Sequence, residues 1–181
     1  LAAKFEPWYL MMALAIPPCA MQDIANGVRG LDHMIMDDAM AADVPLQALE
    51  PFDTLFKVLQ SGDSEDQLEM LKLSLMSGED QLAMFTALLD SYFTQDIGKL
   101  IALNRFLAEN TPDLDPVLGR QMTLDAEDAI IGNRNRAWMP LIDAAATQNT
   151  NIVVAVGAAH LPDIHGLLNL LQQDGWTISP F

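Results

Sequence analysis

Ile152-Val153-Val154-Ala155-Val156-Gly157-Ala158-Ala159-His160 carries the strongest fold signal in the chain. A continuous apolar run dominated by β-branched side chains predicts a strand covered on both faces, as in parallel sheets. Gly157 permits a tight exit, and Pro162 suits the first position of a helix expected to reach residue 173. Its N-terminus would offer backbone N–H groups and a positive dipole end to an anion or a polarised carbonyl. Gly175 ends that helix and residues 176–179 supply another strand, so this end reads as a parallel βαβ unit with a right-handed crossover.

Working back toward the amino end, residues 8–16 read as a mostly buried helix stopped by Pro17-Pro18. Residues 28–32, punctuated by Gly27 and Gly30, fit a short strand, and Asp32 is placed to cap a helix over 33–42. Residues 44–49 make another strand ending at Glu50. Between Pro51 and Thr111 the pattern changes to long amphipathic segments, through Phe52, Phe56, Leu71, Phe85 and Leu89, with Asp63 or Ser64 as a cap. A further helix is expected over 126–146, with Gly132 and Pro140 as places for it to bend. The predicted architecture is therefore α/β. A small mixed or parallel sheet comes from both ends of one domain spanning 1–181, with a large helical insertion over 51–111.

Size and composition agree with one folded domain, since 51% of the 181 residues are hydrophobic. Acidic residues outnumber basic ones by 25 to 9, a net charge of −16 that argues against nucleic acid and anionic membranes as partners. Lone Cys19 cannot form an internal disulfide and reads as a small buried hydrophobe, and the methionines read as helix-core filler. Lys4, the apolar run 8–16 and Cys19 outline a signal peptide, but Glu6, Pro7, Pro17 and Pro18 favour folded structure. No stretch reaches the ~18 apolar residues of a membrane span, so the chain reads as soluble.

His160 lies just beyond the carboxyl end of the predicted strand, where open α/β sheets place ligands. A neutral imidazole there can act as metal ligand or general base, with a satisfied structural histidine as the plain alternative. Glu50 has the same placement and can ligate a divalent ion or take a proton from water, with an ordinary exposed glutamate at a strand end as the plain alternative. Arg134, followed by Asn135, can clamp a substrate carboxylate or hold Glu50, with a surface pair to one of the 25 acids as the plain alternative. His33 falls at a helix start, and His165 lies five residues after His160, off its helical face. The run Asp63-Ser64-Glu65-Asp66 lacks the ligand alternation of a calcium loop and reads as a solvated helix start.

Gly30-Leu31-Asp32, Leu49-Glu50, Arg134-Asn135 with Trp138-Met139-Pro140, Val156-Gly157-Ala158-Ala159-His160-Leu161-Pro162 and Gly175-Trp176-Thr177-Ile178 recur in an order and spacing that resemble the TraB/GumN family, which includes the animal Tiki proteases. The resemblance implies an erythromycin-esterase/ChaN-like α/β fold and a metal-dependent peptidase site built from two GxxH motifs and a glutamate. Matched by position, the later GxxH histidine is His160 and the glutamate is Glu50, which makes both metal ligands; Arg134 would orient the substrate or the glutamate. The earlier GxxH motif belongs to a strand upstream of Leu1, so the chain is expected to be the C-terminal two-thirds of such a domain and to bind metal poorly without it. Asp163 stands where glycine is usual, and Asn133 where an acid often precedes Arg-Asn.

Two functions follow. One is a hydrolase in which a divalent metal of open identity activates water against a peptide or related carbonyl, in an extracytoplasmic setting implied by the resemblance. The other is a catalytically silent module that binds a peptide or protein, with the helical insertion also able to form a homodimer face.

Overall fold

The computed structural model describes residues 4–16, 18–61, 64–75, 77–112, 114–149 and 151–180. It is helical, with 67% of residues in helices and no strand or sheet among the described residues, which overturns the predicted α/β architecture. Contacts divide the chain into two compact units, Leu1–Leu46 with Phe52–Leu89, and Gln47–Pro51 with Asp90–Phe181.

The first unit holds α1 (Pro7–Leu14), α2 (Pro18–Ala25), α3 (Leu31–Ala41), α4 (Thr54–Leu59), α5 (Ser64–Ser74) and most of α6 (Gly78–Phe93). α1 packs on α5, and the Trp8 and Phe56 rings meet edge-on at 6.1 Å. Pro at the start of α1 costs nothing, because that N–H has no helical partner. Ser77 caps α6 by accepting from the Asp80 N–H (3.1 Å) and donating to the Asp80 carboxylate (2.7 Å). α1 contains no buried residue, and Met12, Met21, Met34, Met36 and Met40 are exposed, so neither the buried helix nor the methionine filler expected here is present. Asp32 is not a cap; Gly30 is, and Asp32 falls in the first turn of α3. Pro17 and Asp63 lie outside the described residues, as does the side chain of Cys19.

The second unit contains α7 (Ile97–Glu109), α8 (Pro116–Glu127), a π-helical turn (Asp128–Gly132), α9 (Asn133–Gln148), a 3₁₀ turn (Ala158–His160) and α10 (Leu167–Gln173). Asp115-Pro116 starts α8 in the expected chemical manner, the aspartate accepting from the Val117 and Leu118 N–H groups at 3.0 Å. α8, the π turn and α9 follow one another without a break, and α9 continues through Pro140. Gly119 lets α8 approach α7, since a Cβ there would overlap the Ala108 carbonyl oxygen. The core is formed by Trp138, Met139 and Ile142 of α9 with Leu167 of α10, and Leu49, Ile152, Val156, Leu170 and Leu171 pack against it.

The segments expected as strands, 28–32, 44–49, 152–156 and 176–179, are assigned no strand; the first runs directly into α3. A strand is a property of a pair, and no ladder bond joins residues 152–156 to another described segment. Ile152 and Val156 rest on the core, whereas Val153 is 88% exposed, so the run is not covered on both faces. The helix expected from Pro162 begins only at Leu167, leaving 161–166 as a loop.

Replacing Ile142 by Ala should cost about 2–5 kcal/mol of stability in urea unfolding. Replacing Val153 by Ala should stay within about 0.5 kcal/mol, as for surface substitutions away from special contacts. A large Val153 effect would restore the buried strand.

Candidate functional site

The site is built where the start of α9 meets the loop after the 3₁₀ turn. Asn135, Trp138, Met139 and Ile142 fall at the i, i+3, i+4, i+7 spacing that lines one helix face, so Asn135 is carried into the core with its apolar neighbours. It is 0% exposed, and every polar atom of its amide is used. Its Nδ2 donates to the carbonyls of His160 (3.1 Å) and His165 (2.7 Å). Carbonyls cannot donate, so the amide orientation is fixed by these two bonds, and Oδ1 is left 2.6 Å from His160 Nδ1. That oxygen can only accept. His160 therefore carries its proton on Nδ1 and presents a lone pair on Nε2.

The His160 residue is 6% exposed, and its ring lies 4.5 Å from that of Trp138. Burial pushes its pKa down to about 4; the Arg134 charge acts in the same direction and Glu50 opposes it. The imidazole is thus neutral at physiological pH.

Glu50 accepts from Arg134 Nε (3.2 and 3.0 Å) and Nη2 (2.7 Å), and from the Trp138 indole N–H at 3.1 Å. Hydrogen bonds from Arg134 hold Glu50 below the ordinary carboxylate value against the opposing effect of burial, and the guanidinium charge and Trp138 add to the lowering. Arg134 Nη1 donates to the Ile130 carbonyl (2.9 Å) and lies 3.4 Å from His160 Nε2, while its guanidinium carbon sits 5.1 Å from the Trp138 ring centre. Glu50, Arg134 and His160 are therefore brought together, with Arg134 in contact with both of the others.

Two further arginines frame this centre. Arg136 donates to Asp128 at 2.7 and 2.9 Å and to Asn133 at 2.8 Å, closing over Gly132, where a Cβ would strike the Asp128 carboxylate. Arg105 of α7 binds Glu127 (2.6 Å) and also the Asp163 carboxylate. Asp163 has φ 73°, the left-handed region that favours glycine; its carboxylate is tied by the Ile164 N–H at 2.7 Å and by Arg105. Burial would raise the Asp163 pKa, but those contacts lower it overall.

Gly157 is not conformationally required, since its φ is −56° and a Cβ would sit 3.7 Å from His160 in ordinary contact. Gly166 is the tight position, facing the carbonyls of Leu161 and Pro162. The helix that follows His160 in sequence, α10, starts only at Leu167, so its N-terminus does not come directly after the histidine as expected. His165 contributes its backbone carbonyl, and His33 belongs to the first unit, exposed on α3. Asn135 is part of the Arg134-Asn135 pair that the sequence singles out, but its tie to His160 is visible only in the structure. Its signal was the apolar spacing that follows it.

Among the described residues no three His, Cys, Asp or Glu side chains converge as a metal-binding group. Judged by donor chemistry, His160 suits a divalent ion: one ring nitrogen carries a lone pair and the other is oriented by a hydrogen bond, the usual outer-shell arrangement. The Glu50 carboxylate is also of the right type, but Arg134 and Trp138 bind both of its oxygens.

A partly buried arginine–glutamate pair beside a neutral, amide-held histidine defines a polar centre inside a helical unit. The model of the TraB/PrgY/gumN family matches residues 1–180, and the chain belongs to that family. A comparison with curated proteins finds no match. A comparison with solved structures finds none either.

Histidine ¹⁵N spectra should show His160 with a protonated Nδ1 and an unprotonated Nε2 at neutral pH; the opposite tautomer would contradict the Asn135 assignment. The depressed pKa also fixes the sign of a pH effect. Between about 6.5 and about 4 the unfolded histidine holds more proton than the folded one, so stability falls as pH is lowered through that window. Urea midpoints measured across it should fall less steeply for His160→Gln.

Proposed function

We propose that this chain contributes His160, Glu50 and Arg134 to a metal-dependent hydrolase acting on a peptide or related carbonyl. The observation that supports this reading is the buried, Asn135-oriented imidazole whose Nε2 lone pair faces the Glu50–Arg134 pair. When bound, a divalent ion supplies Lewis acidity and lowers the pKa of water. His160 and Glu50 are the residues that would hold it. Asn135 keeps the His160 proton on Nδ1 and so keeps Nε2 available. Arg134 and Trp138 keep Glu50 ionised, which suits ligation and excludes it as a general acid at neutral pH. An extracytoplasmic setting belongs to the same reading and rests on the family resemblance.

A second reading, a silent peptide-binding module, is favoured by the full hydrogen bonding of Glu50, whose oxygens are both occupied. The two separate in one assay. Peptide-library cleavage by the full chain, with added Mn²⁺, Co²⁺ or Zn²⁺, should be detected in the wild type and fall by ~10²-fold or more in His160→Ala and Glu50→Gln. Peptide binding without turnover, unchanged by His160→Ala, would favour the module.

A further inference from the structure

We propose that the Arg134 guanidinium and a divalent cation compete for the same two donors, so that Arg134 holds the site closed until it is displaced. The inference rests on the metal-binding reading of His160 and Glu50. The guanidinium uses two of its edges at once: Nε and Nη2 are committed to Glu50, and Nη1 faces His160 Nε2 at 3.4 Å. The Asn135 bond fixes the histidine tautomer, so the lone pair toward Nη1 is the one a metal would need. Nitrogen–metal bonds are only about 2.0–2.1 Å for zinc, so an ion on that lone pair would press into Nη1.

Charge leads to the same conclusion. Arginine cannot shed its proton in a protein, so it cannot make room by becoming neutral. Its side chain is 15% exposed and is further held by the Ile130 carbonyl and the face of Trp138. A cation at His160 and Glu50 must therefore wait for the guanidinium to swing away. Its apparent affinity is the intrinsic affinity multiplied by the fraction of molecules already open. Arg134 is in this sense a built-in counter-ion for Glu50, exchanged for metal rather than added to it.

The test is calorimetric titration of MnCl₂ and ZnCl₂ into the metal-free full chain. Wild type, Arg134→Ala and Arg134→Ala/His160→Ala are compared, the last removing adventitious binding to the acidic surface. Arg134→Ala should bind one equivalent at least ~10-fold more tightly than wild type, and the double variant should lose that gain. Because Arg134→Ala leaves Glu50 without its partner, a second measurement uses the unmodified chain. The Arg134 Nε–H signal should be protected from exchange without metal and lose protection as the His160 Nε2 resonance shifts on titration. Equal, His160-dependent affinity in wild type and Arg134→Ala would overturn the competition and leave the metal reading intact. So would a shifted Nε2 resonance beside an undisturbed Arg134 Nε–H. No His160-dependent binding in either protein would overturn both.

Discussion

The Asn135 side chain is the tie on which the centre of the second unit depends. It is fully buried, and one amide fixes the carbonyls of residues 160 and 165 and the ring of His160. A buried polar group left without a partner costs about 1–3 kcal/mol, so losing any one of these contacts is disfavoured. They draw the 161–166 loop against α9, and Gly166 lets the loop turn back so that Leu167 enters the core beside Trp138 and Ile142. The apolar core and the polar centre thus share one side of one helix.

Charge is used sparingly around this tie. The chain has only 9 basic residues, yet Arg105, Arg134 and Arg136 all surround it, each on a carboxylate from another element. Arg105 joins α7 to the end of α8 and the loop; Arg134 joins α9 to Glu50; Arg136 joins α9 to the π turn. A partly buried ion pair loses in desolvation much of what it gains in attraction, so the contribution of such pairs is better sought in orientation than in net stability. Around Glu50 and His160, orientation decides which lone pairs are free. The π turn at 128–132 precedes the two site arginines, and Gly132 allows the Asp128–Arg136 bridge to close over it.

Much of this was legible in residues taken singly and little in their pairing. His160 and Glu50 stand out as ligating types at the ends of expected strands and Arg134 as one of few cations, able to clamp a carboxylate, and the structure brings the three together. Asn135 is named with Arg134 in the sequence reading but carries no role there, because apolar counting passes over an amide on a core face. The helices at 54–59, 64–74 and 97–109 follow from side-chain periodicity, a local property. The sheet expected from 152–156 failed because β-branched composition describes a tendency, while a ladder needs a second backbone alongside.

By itself the sequence determined the family, the acidic surface, most helices and the reactive residue types, since these depend on composition, spacing or motifs along one chain. Tertiary structure alone decided that Val153 faces outward, that His160 is neutral and protonated on Nδ1, and that Arg134 stands between the two expected metal ligands. Those outcomes depend on burial and on which partner reaches each nitrogen and oxygen, quantities that arise only when residue 50, the adjacent residues 134 and 135, and residue 160, three places well separated in the chain, share one small volume.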